Sequence, residues 1–419
     1  MTMTLDDFRK EIYLCSRCGY CRDMVRARDN TDHLCPIREN TGGFEIYSAR
    51  GRNWIARQIL EGRLNVKDFT KKFVDSLYSC LFCGNCTEHC LVLEPESWSR
   101  FPNNTFRDHI IDNNGITRSL RNLVVEEGMP PVEIRDVLQN IYRHGNPYGE
   151  PREKRNVWAK KLGFDIKNVT EEKCKMLFYV GSIASYNERN QKTARAVARI
   201  LKSANVDFGI LGTREEDSGG EVRELGEEGL FEELAKRNLS LFREHDITNI
   251  ICLSPHDYNA FINYYPELLK EEWSTLNLTI QHYTEFIAGL LRKGELNMKD
   301  KLDKKVTFHD PCYLGRKNGI YDAPREILRA TGADLIEMKL SRSNSYCCGG
   351  GGGGLWYEPL DKPKVENERA KQVLDTEADI LALACPNCAQ MMEDGIKAIE
   401  GRIKVMDVAE IVEETINIK

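Results

Sequence analysis

Two runs with the spacing C-x-x-C-x-x-C constrain this chain more than any other feature: Cys15, Cys18 and Cys21, and then Cys80, Cys83 and Cys86. Each run presents three thiols on one short loop, and each is trailed by a further cysteine, Cys35 after the first and Cys90 after the second. The chain has 15 cysteines in all, an odd number, mostly at such short spacings. Its first residues, "MTMTLDDFRKEIYLC", contain no apolar export signal. A disulfide framework is therefore a poor explanation, and thiolate coordination of metal in a reducing compartment a good one. The expected location is the cytoplasm, with membrane attachment only through a partner.

Three thiols at this spacing cap three corners of a four-iron cube, and the fourth ligand must come from elsewhere. In two-cluster ferredoxins the fourth cysteine of each run serves the other cluster. By that rule Cys90 completes the first [4Fe-4S] cluster and Cys35 the second. Structural zinc is the alternative. It prefers sets of four built from C-x-x-C pairs, so strict triplets argue against it. The gap from Cys21 to Cys35 is wider than a compact ferredoxin run, although Pro36 follows Cys35 as expected. Between the runs, "YSARGRNWIARQILEGRL" places Ile55, Ile59 and Leu60 at helical spacing, which predicts a helical ferredoxin-like domain over 1–110.

At 419 residues the chain suits two or three domains. A net charge of −6 with no basic block excludes an electrostatic case for nucleic acid. No apolar run reaches the roughly 20 residues that span a bilayer. Residues 111–173 read as helices and a polar connector, with "HGNPYGEPREKRN" (144–156) as a linker.

The remainder is a repeat, read as 174–300 and 301–419. In the second copy three strands, "KVTFHD" (305–310), "DLIEMKL" (334–340) and "DILALA" (379–384), lead into Cys312, Cys347-Cys348 and Cys385. Between the first two, "YDAPREILRATG" reads as a helix capped by Asp322, with Pro324 in its first turn and Gly332 as its stop. Cys388 follows Cys385 in "ACPNC". In the first copy the strands "KMLFYVG" (175–181), "VDFGILG" (206–212) and "NIICL" (249–253) lead into Ser182, Ser218-Gly219 and Ser254. Ser182 to Ser218 is 36 residues against 35 for Cys312 to Cys347, and Gly219 to Ser254 is 35 against 37 for Cys348 to Cys385. The register makes this an internal duplication. All five cysteine positions of the first copy are lost, to Ser182, Ser218, Gly219, Ser254 and Asp257, which are poor ligands for iron–sulfur clusters. Ligands gather at the carboxyl ends of strands in parallel sheets. The expected fold is thus α+β and multidomain: a helical two-cluster domain followed by two duplicated α/β domains with parallel sheets.

These motifs, with "HDPCYLGR" and "SRSNSYCCGGGGGG", resemble the CCG-domain iron–sulfur proteins, in particular the D subunit of heterodisulfide reductase and its relatives, over essentially the whole chain. The resemblance implies that Cys312, Cys347, Cys348, Cys385 and Cys388 hold a third four-iron cluster of noncubane type, and that these are the reactive ligands. It also implies redox partners: a flavoprotein of the electron-transfer-flavoprotein or heterodisulfide-reductase A-subunit type, or a membrane cytochrome or quinone module. The family splits disulfides with clusters from two complete CCG domains, whereas this chain has one complete set.

The glycines Gly349, Gly350 and Gly351, with the rest of the run to Gly354, could form a phosphate loop, but no G-K-[ST] follows. Close approach to a cluster, with N–H groups aimed at its sulfurs, explains them better, against a plain flexible linker. His309 and Asp310 read either as a proton relay or as residues that orient ligands and turn the chain. His256 and Asp257 read either as an acid–base pair in the first copy's pocket or as surface loop. Cys252 and Cys174 read as structural, and "GLFEELAKRNLSLF" as helix core. Functionally, the first expectation is an electron-transfer subunit of a larger oxidoreductase. The second is a disulfide or thiol reductase, and the third a scaffold with structural clusters.

Overall fold

Short apolar runs bounded by glycine and charge become the strands of two parallel sheets. The computed structural model describes residues 3–27, 30–93, 109–359 and 364–416; residues 94–108 of the expected first domain and 417–419 of the last lie outside the described residues. One sheet has five strands in the order β3 (Lys167–Asn168), β5 (Phe208–Ile210), β4 (Met176–Tyr179), β6 (Asn249–Cys252) and β7 (Thr279–His282). The other has four, in the order β11 (Lys404–Asp407), β10 (Ile380–Leu383), β8 (Lys305–Phe308) and β9 (Asp334–Ile336). Every pairing in both sheets is parallel. Leaving out β3, the order β5-β4-β6-β7 repeats as β9-β8-β10-β11, the topology expected of a duplication.

Each copy gains a fourth strand that sequence reading did not supply. β7 (TIQH) and β11 (KVMD) are short edge strands, each with an exposed first residue and only partial burial. Such strands lack the apolar run that marks the central ones. The helix read with Asp322 as its cap instead starts at Asp322, after Tyr321, and the Asp322 carboxylate accepts from Arg342 at 2.8 Å. Gly332 does take the positive φ of a helix stop.

Both sheets are buried on two faces, which explains their apolar composition. Along β4 and β6, Leu177, Tyr179, Ile250 and Cys252 face a core shared with the N-terminal domain, where Phe8, Leu77, Ile116 and Leu120 lie. The alternate residues Phe178, Ile251 and Leu253 face a second core shared with Val306, Phe308 and Ala382 of the other sheet. The two copies meet about a pseudo-twofold. The helix Glu188–Ser203 of the first copy packs on Val408–Thr415 of the second, and Tyr283–Arg292 packs on Asp322–Ala330. Asn187 donates across this interface to Gln390 at 3.3 Å, and Asn318 donates back to Asn259 at 3.2 Å.

The N-terminal domain is ferredoxin-like and helical. The predicted helix is Ala49–Leu60, capped by Ser48, and Lys71–Tyr78, capped by Thr70, leads into Cys80. A hairpin of β1 (Asp23–Ala27) and β2 (Asn30–His33) occupies the gap between Cys21 and Cys35. The helix Asn113–Glu126, buried on nearly all sides, joins this domain to the rest. The segment read as a linker is instead packed. Asn146, fully buried, accepts from the N–H groups of Tyr148 and Glu150, and Arg155 pairs with Glu215 at 2.8 Å, both buried. Its proline and glycine set a turn rather than provide slack. Among the described residues no helix is long and apolar enough to cross a membrane.

Candidate metal centres

Both N-terminal runs fold with the same backbone turn. Arg17 and Gly19 around Cys18 take positive φ angles of 57° and 85°, and Phe82 and Gly84 around Cys83 take 50° and 76°. A non-glycine residue in this region signals a constrained loop. The turn gathers thiols that the sequence leaves far apart. Cys35 joins Cys80, Cys83 and Cys86 around one small cavity of about 20 Å³, with Arg52 and Tyr47 in its wall. Cys21 lies within electrostatic reach of Cys35, Cys15 and Cys90, and Cys90 within reach of Cys15 and Cys18, so the two groups of thiols are also neighbours of each other.

Burial pushes the Cys21 thiol up to about 12 and Cys35 and Cys90 to about 11, with nearby thiols adding to the effect. Buried thiols packed this closely ionise only when a cation shares the site, so the donor set fits iron–sulfur clusters. Arg52, itself buried, sits with its charge near Cys80, Cys35, Cys86 and Cys21 and donates to Thr117 Oγ1 at 3.1 Å. Asparagines fix the loops: Asn113 donates to the Cys86 carbonyl and Asn114 to the Phe82 carbonyl, each at 3.1 Å, and Asn85 to the Leu34 carbonyl at 3.0 Å.

The C-terminal thiols converge at the carboxyl ends of β8, β9 and β10, as parallel topology dictates. Cys348 Sγ lies 3.3 Å from Cys388 Sγ, and Cys347 hydrogen-bonds to Cys312, to Cys348 and, across the domain boundary, to Cys83. The His309 ring lies with Cys348 and Cys388, their ligand atoms within 4.8 Å of one another. Arg369 Nε donates to His309 Nδ1 at 3.0 Å, which leaves the Nε2–H to donate to the Cys348 thiol. His309 therefore orients a thiol rather than relaying protons from solvent. Asp310 is buried in a two-pronged pair with Arg325 (2.6 and 2.8 Å) and also accepts from the Arg342 N–H.

The glycine run departs from expectation. The Gly349 N–H points at Cys347 Sγ (3.4 Å) and Gly350 packs on Asn387 and Met391 beside Cys385 and Cys388, but Gly351 and Gly352 turn away from their own site. A Cβ at Gly351 would meet the Leu81 carbonyl oxygen at 2.6 Å, and one at Gly352 the Cys80 carbonyl oxygen at 2.5 Å. The run is bare so that it can lie against the Cys80–Phe82 loop of the first domain. Arg121 and Arg316 fasten the same boundary. Arg121 donates to the carbonyls of Leu77, Cys80, Glu224 and Gly352, and Arg316 to those of Cys83, Ser343 and Ser345. Sequence reading missed these arginines, because nothing local in the sequence marks an arginine whose partners are backbone carbonyls of another domain.

In the first copy oxygens have replaced sulfurs and satisfy one another. Ser182 donates to Asp217 and Ser218 to Asp257, both at 2.6 Å, while Ser254 caps the helix Pro255–Asn259. A cavity of about 40 Å³ remains, lined by these residues, His256 and Asn387. Asp257, buried, is turned to Ser218 while His256, half-buried, stacks on Tyr313, so the two do not form the acid–base couple considered from sequence. Cys252 is buried in the core and Cys174 donates to the Met176 carbonyl; neither joins a thiol set among the described residues.

The chain is similar to known iron–sulfur proteins. Residues 11–92 match the 4Fe-4S dicluster domain and residues 306–393 the cysteine-rich CCG domain. The chain is 33% identical to a probable iron–sulfur-binding oxidoreductase, FadF, of Bacillus subtilis, over 98% of this chain and 61% of that one. It is 34% identical to an EtfAB:quinone oxidoreductase of Syntrophomonas wolfei, over 95% of this chain and 57% of that one. The D subunit of the dihydromethanophenazine:CoB–CoM heterodisulfide reductase of Methanosarcina barkeri is 26% identical, over 97% of this chain and 95% of that one. The chain thus spans about three fifths of the length of the first two relatives.

Proposed function

The chain is homologous to the D subunit of heterodisulfide reductase and to the FadF-like iron–sulfur oxidoreductases, and from this we propose that it is the electron-transfer subunit of a larger oxidoreductase complex. Two [4Fe-4S] clusters, held by Cys15, Cys18, Cys21 and Cys90 and by Cys80, Cys83, Cys86 and Cys35, and a noncubane four-iron cluster held by Cys312, Cys347, Cys348, Cys385 and Cys388, supply one-electron carriers when bound. The observation that carries the reading is the contact of Cys83 with Cys347, which makes the second and third thiol sets direct neighbours. Arg52 offsets the charge of the first two sets, and His309 and the Gly349 N–H donate to thiols of the third.

Cys18 is the one exposed thiol among the described residues, and Tyr13, Leu14 and Trp54 stand exposed on the same domain. A redox protein, of flavoprotein type or a membrane cytochrome or quinone module, meets the chain at this end. The reading of the chain as a disulfide reductase in its own right is weakened by the oxygen-lined first copy. Turnover of a small disulfide by the isolated chain with an artificial reductant would favour it.

Iron and sulfide content with EPR, on protein purified without oxygen, tests the assignment. About twelve irons per chain are expected, with one signal distinct from two cubane signals. About sixteen would mean that the first copy also binds metal, and would move the disulfide reductase ahead.

A further inference from the structure

We infer that the copy without cysteines supplies a positioning residue to the other copy's thiol site: His256 donates a hydrogen bond to Cys385 and braces Tyr313, the neighbour of Cys312. The inference rests on the five C-terminal cysteines holding a cluster.

Three placements lead to it. The His256 ring lies on the Tyr313 ring, centroids 3.8 Å apart and planes 19° from parallel. The same ring hydrogen-bonds to the Cys385 thiol. Tyr313 is held from a second direction as well, since its hydroxyl donates to Glu224, a buried residue of the first copy that also accepts from Tyr264 at 2.9 Å and pairs with Lys317 at 3.4 Å. The residue after Cys312 is thus clamped by two side chains from the copy that lost its sulfurs.

The duplication explains why the reach is possible. Ser254-Pro255-His256-Asp257 and Cys385-Pro386-Asn387-Cys388 are equivalent loops on either side of the pseudo-twofold. Asn387, at the position equivalent to His256, correspondingly lines the first copy's cavity. Each loop therefore presents its third residue to the opposite copy's site. Where the receiving site holds oxygens, an asparagine is presented; where it holds thiols, a ring with an N–H. A donor to a ligand sulfur stabilises the more negative, reduced form of a cluster and so raises its potential. The ring also fixes the rotamer of Tyr313, and through it the backbone at Cys312.

The stack and the donor can be separated by substitution. His256→Phe keeps an aromatic ring over Tyr313 and removes the N–H; His256→Gln keeps an N–H and removes the ring. Each full-length variant is reconstituted, its iron counted, and the C-terminal signal followed in an EPR-monitored redox titration. We expect wild-type iron content in both variants. At fixed ambient potential the reduced-to-oxidised ratio of the C-terminal cluster should fall about tenfold in His256→Phe, which is 59 mV for a one-electron couple. It should stay within about twofold of wild type in His256→Gln, and both cubane signals should be unmoved. An unshifted His256→Phe, or a His256→Gln shifted as far as His256→Phe, overturns the inference. Loss of iron from the C-terminal site in either variant does so too, because His256 would then be needed for assembly and not for tuning. A wild-type chain with about eight irons would instead overturn the cluster assignment beneath it.

Discussion

Arg121 is a fully buried cation whose partners are backbone carbonyls rather than a carboxylate. Its guanidinium donates to Leu77, Cys80, Glu224 and Gly352, and lies over the rings of Tyr78 and Phe82. Removing it would leave these buried acceptors unpartnered, each at a cost of about 1–3 kcal/mol. Arg121→Met should therefore lose at least about 3 kcal/mol, read as a lower urea midpoint for loss of the visible cluster absorption. A midpoint equal to wild type would show that water replaces the guanidinium. Residues of this kind are hard to read from sequence. Cysteine spacing states the metal chemistry outright, because a cluster accepts few geometries. An arginine in a helix looks the same whether it faces solvent or four carbonyls. Its role exists only after the two cluster loops have met.

At the scale of elements, the end of β11 shows how one carboxylate joins a sheet to a helix. Asp407 closes β11 and caps the helix Val408–Thr415, where its side chain accepts from Ala409 and from the Tyr283 hydroxyl of the other copy. Burial is the main cause that pushes Asp407 up to about 7, with Glu410 adding to it. The folded chain thus holds a proton that the unfolded chain releases near pH 4, so this group's stabilisation is present in acid and is lost as pH rises toward 7. In urea unfolding between pH 6 and 8, wild-type stability should fall with pH and then level. Asp407→Asn keeps a capping side chain and should flatten that slope. An unchanged slope would assign it to Glu11, Glu221 or Asp257, which burial also raises to about 7.

The strands that lead into cysteine or serine were legible, since apolar runs such as "DILALA" announce buried parallel strands. β7 and β11 were not, because edge strands need no such run. Asp322 misled for a similar reason: sequence proposes a cap, and the competing partner Arg342 is visible only in the fold.

Over the whole molecule, the thiol sets are neighbours in turn, the first beside the second and the second beside the C-terminal five, with Cys18 exposed in the first. With Cys83 hydrogen-bonded to Cys347, carriers in the second and third sets would be close enough for their unpaired spins to interact. In the fully reduced chain we expect broadened or split EPR signals from these two, and a simpler C-terminal spectrum in Cys80→Ala, which removes one of the second set's four thiols, once its iron count shows that set empty. Narrow, additive spectra in both would mean that the succession is interrupted there. The resemblance to a family could be read from motifs. The adjacency could not, because it depends on glycines packing against a loop more than two hundred residues earlier in the chain.

The paired helices at the pseudo-twofold carry a consequence for how such a chain can change over generations. Glu188–Ser203 and Tyr283–Arg292 of the first copy each cover a helix of the second. Mutations that strip thiols from one copy remove a metal and little else, since serine and aspartate can satisfy each other in the space left behind. Deleting that copy would expose the apolar residues of the other that share its core, among them Val306, Phe308 and Ala382. Descent by duplication here permits the decay of a function without the loss of its frame, and a frame kept for packing is free to acquire a different use.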